Sequence, residues 1–272
     1  MKSLFAVKLF SNKINFYKLI LISAILFNCI LTNANAVPSR NLTVFAEPQM
    51  ASVITKIARS FSQKNNAIIS VNFSSAYDLI NDIDQGEPAN VFISAHPQII
   101  ENLRQKGLVD VYNIAYIATD KLILCTAKNN NNFPLELLKK NISFEESLKI
   151  LDNYKLGVIL DHDGVSAGNY GRKIIQNLSL TNLKIFNKLP EDKSSLIRDI
   201  EMNKDAYGIL FQSNLTKNTN LRKLSIQNDK NIFYQAFVIA GENMDIAREF
   251  LNYLKSKDVK NILSDNGYNV DL

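Results

Sequence analysis

The chain has 272 residues, of which 31 are basic and 26 acidic, and its formal net charge is +5. Four lysines and no acidic residue lie within residues 1–36, so residues 37–272 are nearly neutral, with 27 basic against 26 acidic side chains. A nearly neutral chain lacks the basic balance typical of nucleic-acid binders, and no nucleic-acid partner is expected. Beyond residue 36 the sequence keeps one cysteine, Cys125, so an intrachain disulfide is excluded there and a buried apolar role is expected.

Residues 1–36 have the pattern of a cleavable export signal. Lysines precede an apolar run from Leu19 to Leu31, and Ala34-Asn35-Ala36 has the A-x-A form of a cleavage site. The apolar run is shorter than the roughly 20 residues that span a bilayer, although retention of the segment as an anchor is the alternative. We expect cleavage after Ala36 and a periplasmic mature protein that begins at Val37.

Strands and helices alternate in the first part of the mature chain. Short apolar runs predict three strands, at 42–46, 68–73 and 91–94. Apolar residues at helical spacing predict three helices, over 50–61, 77–83 and 97–105. Alternation of this kind is typical of parallel sheets that are covered by helices on both faces.

The rest of the chain continues the alternation. Further strands are predicted at 121–126, 156–160, 183–189, 207–211 and 232–240. Further helices are predicted over 133–140, 144–151, 167–178, 194–202, 245–255 and 259–265. The runs at 121–126 and 232–240 are candidates for strands that carry the chain out of a first lobe and back into it.

One segment resembles a known family. Residues 85–96, QGEPANVFISAH, are similar to the G-x-P-A-D-V-F-I-S-A signature of the periplasmic molybdate-binding proteins of ABC importers. The resemblance extends from about Leu42 to the C-terminus. It implies an α/β, two-lobed type II periplasmic binding-protein fold, in which each lobe has a mostly parallel sheet flanked by helices and a ligand lies in the cleft. Lobe 1 is expected to comprise residues 37–120 and 234–272, and lobe 2 residues 121–233.

Helix N-termini that follow strands offer free N–H groups, which suit an oxyanion without requiring full positive charges. The family pattern F-A-A-A-S-L aligns with Phe45–Met50 of this chain, so Gln49 stands at the position where the family has a ligand serine. The pattern F-A-S-S-S places Ala76 at the second ligand serine, with Ser75 beside it.

Three more positions come from the same resemblance. V-P-A-G-x-Y becomes Val165 to Tyr170, which keeps Ala167 as a backbone N–H donor. The family pattern E-D-V-R aligns Lys193 with a valine that gives its backbone N–H to the ligand. The pattern G-I-V-Y aligns Phe211 with a ligand tyrosine. Three hydroxyl donors of the family are therefore replaced, by Gln49, Ala76 and Phe211.

The resemblance implies a solute-binding protein that delivers a small oxyanion, similar to molybdate or tungstate, to an ABC permease. A monomer without a cofactor, a resident metal or an enzymatic activity is expected. A two-lobed binder of an organic acid or a metal chelate is the first alternative. An enzyme of similar fold, with Lys193, His162 or Asp161 as acid or base, is the second. His96 and His162 lack the spacing of a metal site, and no catalytic motif is present.

Overall fold

The computed structural model describes residues 40–272 apart from 189–194, 204, 216–219 and 229–230. The predicted export signal and Lys193 lie outside the described residues. The part that the structure describes contains ten strands and eight α-helices, and the strands form two five-stranded sheets. In this same part, no helix combines the length and the apolar character that crossing a membrane requires.

The first sheet defines the first lobe. It consists of β1 (Asn41–Ala46), β2 (Ile68–Phe73), β3 (Val91–Ser94), β4 (Val109–Asp120) and β10 (Ile232–Ile239), in the order β2-β1-β3-β10-β4. Its helices are α1 (Ala51–Asn65), α2 (Ala76–Asp84), α3 (Ile99–Gln105), α7 (Met244–Leu254) and α8 (Lys257–Asp265). A short 3₁₀ turn over Pro48–Met50 joins β1 to α1.

The second sheet defines the second lobe. It consists of β5 (Leu122–Ala127), β6 (Gly157–Leu160), β7 (Lys184–Asn187), β8 (Tyr207–Phe211) and β9 (Leu221–Ile226), in the order β7-β6-β8-β5-β9. Its helices are α4 (Phe144–Asn153), α5 (Ser166–Asn177) and α6 (Leu196–Met202). Leu135–Leu138 and Gln212–Asn214 are 3₁₀ turns.

The two-lobed α/β fold is confirmed, but each sheet is mixed rather than mostly parallel. Strand β1 pairs in parallel with β2 and β3, whereas β10 is antiparallel to both β3 and β4. In the second sheet β6 is parallel to β7 and β8, whereas β5 is antiparallel to β8 and β9. The antiparallel pairings arise because the strand that follows each crossing, β5 or β10, enters its sheet from the opposite end.

The lobes are joined by two passages of the chain. One runs from the end of β4 at Asp120 to the start of β5 at Leu122, and the other runs from β9 to β10. Buried aromatic rings pack where these passages meet. Phe211 of the second sheet contacts Tyr234 of the first edge to face, with ring centroids 5.8 Å apart, and Tyr234 contacts Tyr268 at 5.4 Å.

Helix α1 shows how the apolar pattern produces the core of the first lobe. Val53, Ile54, Ile57 and Phe61 repeat at helical spacing and are all buried. Phe61 packs edge to face on Phe250 of α7, with centroids 5.1 Å apart. These contacts hold α1 in place, so the turn before it, which carries Glu47 and Gln49, has a fixed position at the interlobe cleft.

Candidate functional site

A cavity of about 770 Å³ lies between the lobes, and both lobes contribute to its wall. The first lobe contributes the turn before α1 and the start of α2, through Gln49, Ser52, Ser74, Ser75 and Asp78. The second lobe contributes the ends of two strands and the starts of two helices, through Asp161, His162, Ala167, Lys188, Ser195 and Asn214. The cavity is therefore where the carboxyl ends of the strands face each other, as expected for an α/β ligand site.

Three of the six predicted ligand residues, Gln49, Ser75 and Ala167, line this cavity. Ala76 is fully buried beside it, and its backbone N–H donates to the carbonyl of Gly164 at 2.8 Å. Phe211 is fully buried against Tyr234 and is not among the residues that line the cavity. Lys193 falls within 189–194, which the structure does not describe.

Sequence analysis missed Glu47, which is fully buried at the end of β1 and carries the most extensively bonded side chain of the region. Its Oε1 accepts hydrogen bonds from the Ser94 hydroxyl, from the Ala95 N–H at 3.0 Å and from the Ser166 hydroxyl at 2.6 Å. Its Oε2 accepts from the Ser166 N–H at 2.9 Å and from the Gln49 amide at 2.9 Å. Five donors from both lobes thus surround one carboxylate.

Ser166 is the first residue of α5, so Glu47 lies at a helix N-terminus. There the unpaired N–H groups and the helix dipole favour a negative charge. Burial, with a smaller contribution from the Glu47 charge, raises the pKa of the Tyr170 hydroxyl on the same helix to about 12. The start of α5 therefore binds an anionic group of the chain itself, the Glu47 carboxylate, through the N–H and the hydroxyl of Ser166.

Arg172 fixes the loop that precedes α5. Its guanidinium donates to the carbonyls of Gly168 at 2.9 Å and Asp161 at 2.7 Å, and its Nε pairs with Asp163 at 2.8 Å. Gly168 allows the loop to lie close to the helix, since a Cβ there would be 2.3 Å from the Asp161 carbonyl oxygen. These contacts hold the N–H groups of α5 in the orientation that faces the cleft.

Two further hydrogen bonds cross between the lobes. One is the bond from the Ala76 N–H to Gly164, and the other joins His96 Nε2 to the Asp163 carbonyl at 3.1 Å. Burial lowers the pKa of His96, so its neutral form is favoured. The lobes are therefore in direct polar contact along one side of the cavity.

The charged and hydroxyl groups of the cavity wall are largely paired with each other. Ser75 caps α2, because its hydroxyl accepts from the Asp78 N–H at 3.2 Å and donates to the Asp78 carboxylate at 2.7 Å. Lys188 forms an ion pair with Asp199. Burial raises the pKa of the Asp161 carboxyl, while the nearby charges of His162 and Lys188 oppose that rise.

A second polar cluster lies beneath the cavity, near the passage from β4 to β5. Asp120 is buried there, and its Oδ1 accepts from the N–H groups of Lys121 at 2.8 Å and Ser213 at 3.3 Å. Tyr268 donates its hydroxyl to the Gln49 carbonyl at 3.1 Å. The Asp120 bonds join the passage between the lobes to the 3₁₀ turn after β8, and the Tyr268 bond joins the C-terminal segment to the turn that carries Gln49.

Comparisons with known proteins agree with this geometry. The family model described as bacterial extracellular solute-binding protein matches residues 42–269. The molybdate-binding protein ModA of Haemophilus influenzae is 24% identical over 238 residues, which cover 85% of this chain and 90% of that protein. ModA of Escherichia coli is 22% identical over 236 residues, 84% of this chain and 89% of that protein.

A solved structure shows the same fold. The structure described as the tungstate ABC transporter from Geobacter sulfurreducens superposes with a TM-score of 0.65 at 14% sequence identity, over 83% of this chain and 98% of that one. The predicted resemblance to molybdate-binding proteins is confirmed by these relatives, and the two-lobed fold by the superposition. With a family model that covers nearly the whole described part, the chain belongs to the bacterial extracellular solute-binding protein family.

Proposed function

We propose that the protein is the extracytoplasmic solute-binding component of an ABC importer and binds a small oxyanion, of the molybdate or tungstate type, in the interlobe cleft. Its relatives named as molybdate-binding proteins match over 84–85% of the chain. The proposal includes export to the periplasm after cleavage at Ala36, a monomeric state, delivery to a membrane permease and no enzymatic activity. Lobe bounds near residues 120 and 233 are part of the same proposal.

The observation that carries the proposal is the carboxylate held at the start of α5. Backbone N–H groups and serine hydroxyls converge on two anionic oxygens there, beside a cavity of about 770 Å³. Ala167, the next residue of α5, lines that cavity. A tetrahedral oxyanion could therefore bind to the N–H of Ala167 while the Glu47 carboxylate keeps the N–H of Ser166.

Gln49 and Ser75 are proposed as side-chain donors from the first lobe. The Gln49 amide gives one N–H to Glu47 and retains a second, and the Ser75 hydroxyl can turn from Asp78 toward a ligand. Lys193 is proposed to add a positive charge. Ala76 and Phe211 carry no side-chain donor, and they are proposed to pack beneath the residues that line the site and fix their positions.

Isothermal titration of the mature protein with molybdate, tungstate, sulfate, phosphate and citrate tests the proposal. We expect molybdate or tungstate to bind, and a concentration of 100 Kd to stabilise the folded state by about 2.7 kcal/mol. Gln49→Ala should weaken binding, because a donor inside the cleft is lost. Lys193→Ala should weaken binding and reduce its salt dependence.

The exposed Lys140 provides a matched control for the charge effect, and Lys140→Ala should leave affinity unchanged. Binding of citrate and of none of the inorganic anions would contradict the proposal that the ligand is an inorganic oxyanion. Unaltered binding of every ligand by both Gln49→Ala and Lys193→Ala would contradict the assignment of the site residues.

A further inference from the structure

We propose that Glu47 acts as an internal anion that holds the two lobes together in the ligand-free protein by binding the start of α5. Glu47 follows β1 in the first lobe, whereas Ser166 begins α5 in the second. Two of the five hydrogen bonds to the carboxylate come from Ser166, at 2.6 and 2.9 Å, and therefore cross the cleft. We call this pair, Glu47 and Ser166, the interlobe latch.

The first-lobe donors keep the carboxylate in place whether or not the lobes touch. The Ser94 hydroxyl, the Ala95 N–H and the Gln49 amide all belong to the first lobe. Glu47 therefore remains oriented toward the cleft when the second lobe moves away. Its full burial in the closed arrangement makes the two bonds from Ser166 strong, because water cannot replace them there.

Both members of the latch are departures from the family pattern with which this chain aligns. The third residue of F-A-A-A-S-L is an alanine, where this chain has Glu47. The second residue of V-P-A-G-x-Y is a proline, where this chain has Ser166. Proline has neither an N–H nor a hydroxyl, so it could make neither bond to a carboxylate. The two departures create the acceptor and the donors of one contact.

The latch has a direct consequence for closure. In a two-lobed protein that binds an anion and lacks such a contact, the bound anion itself joins the lobes. Here the chain supplies that anion itself, and the Ala76–Gly164 and His96–Asp163 bonds add to the contact. The ligand-free protein should therefore populate the closed arrangement, and an external oxyanion should add little further closure.

Pulsed electron spin resonance between one label on each lobe tests this without any ligand. Gln85→Cys at the end of α2 and Gln176→Cys on α5 introduce exposed labelling sites, while Cys125 is buried and should not react. In the otherwise unaltered protein we expect one narrow distance distribution that molybdate does not change. Glu47→Ala and Ser166→Pro should each lower the closed-to-open ratio by on the order of tenfold or more and give longer, broader distances.

Ser166→Pro is the more informative variant, since proline is favoured at the first position of a helix and follows Val165, whose backbone is extended. Circular dichroism should show that this variant folds. Ser166→Ala, which keeps the N–H bond to Glu47, should have an intermediate effect. The latch is refuted if the ligand-free protein with its native Glu47 and Ser166 already gives the broad distribution. It is equally refuted if the distance distributions of Ser166→Pro and Glu47→Ala remain as narrow as that of the parent protein. Because the distances that decide the test are those of the ligand-free protein and its variants, they do not depend on whether the oxyanion assignment is right.

Discussion

Replacing Asp120 by asparagine should stabilise the protein at neutral pH. Asp120 is buried at the passage from β4 to β5, with 5% of its surface exposed. Its Oδ1 accepts two backbone hydrogen bonds, but its Oδ2 has no hydrogen-bond partner among the described residues. Burial raises the pKa of this carboxyl from 3.8 to about 6, although the hydrogen bonds from Ser213 and Lys121 oppose the rise.

The sign and size of the effect follow from these two pKa values. Well below pH 3.8 the carboxyl is protonated in both the folded and the unfolded chain, and its burial then adds no pH-dependent cost. As the pH rises to about 6 only the unfolded chain releases the proton, so the folded state loses stability. Above pH 6 the loss is complete. The pKa is raised by about two units, and roughly 1.36 kcal/mol for each unit gives a loss of about 3 kcal/mol.

Asp120→Asn keeps an oxygen that can accept from Lys121 and Ser213, and it removes the buried charge. The pKa of about 6 already includes the hydrogen bonds to the charged form. The amide NH₂ replaces an oxygen that has no partner among the described residues, and allowing about 1 kcal/mol for that buried donor, we expect the free energy of unfolding to rise by about 2 kcal/mol at pH 7. At pH 4 the gain should fall to near zero. Urea unfolding followed by circular dichroism between pH 4 and pH 8 measures both values.

Asp152→Asn is the matched control. The Asp152 carboxylate also accepts two backbone N–H bonds, from Asn182 and Leu183 at 2.7 Å each, but it lies on a more exposed surface. It should give no gain at pH 7. The reasoning fails if Asp120→Asn changes stability by the same amount at pH 4 and pH 7, or if it destabilises the protein at pH 7.

Three other substitutions examine the scaffold of the site and the core. Arg172→Ala should weaken oxyanion binding in titration calorimetry, since the loop before α5 loses three contacts, and Arg172→Lys should restore only part of the affinity because a lysine cannot make all three. Gly168→Ala should weaken binding and lower the free energy of unfolding by about 1–3 kcal/mol in urea, because the alanine methyl group would lie 2.3 Å from a carbonyl oxygen. Unaltered binding would show that α5 can shift without affecting the site. Phe250→Ala should lower the free energy of unfolding by about 3–5 kcal/mol, because it leaves a cavity against Phe61. It should not alter affinity, since neither ring lines the interlobe cavity.

Eight of the ten described strands could be predicted from the sequence, whereas β4 and β9 could not. The apolar runs at 68–73, 91–94 and 207–211 coincide with β2, β3 and β8. Strands β4 and β9 were missed, although β2 and β7, the opposite edge strands of the two sheets, were predicted. The sequence of Leu221–Ile226, LRKLSI, mixes polar with apolar side chains, because one side of this strand is open to water. It lacks the continuous apolar run by which β3 and β8 were predicted, so its pattern is similar to that of a loop.

The run at 133–140, predicted as a helix, contains only the 3₁₀ turn Leu135–Leu138. Pro134 precedes this turn, and both Leu135 and Leu138 are exposed. A helix of this length gains most of its stability from burying one apolar face, and here only Leu137 is buried. The spacing of leucines alone could not show that the remaining two would face solvent.

The site was harder to predict than the fold, because its hydrogen bonds join residues that are far apart in the chain. Ser166 and Glu47 are 119 positions apart, and their pairing becomes visible only once the lobes are placed. A glutamate in isolation is most often a surface residue. The signal that could have identified it was its position directly after an apolar strand, together with a serine in place of the family's proline.

Under the proposed function, the same pairing explains how the site can lose donors and still bind an anion. The start of α5 offers several N–H groups, and each can serve one oxygen. Glu47 takes the N–H of Ser166, a donor that a proline at this position would lack, so the ligand loses nothing that the family pattern provides there. In the proposed site the N–H of Ala167 is left for the ligand, and the hydroxyls that are missing at Gln49, Ala76 and Phe211 reduce the number of side-chain donors instead. An external oxyanion in this chain should therefore depend more on backbone N–H groups and on the geometry that Arg172 imposes than on serine or tyrosine hydroxyls.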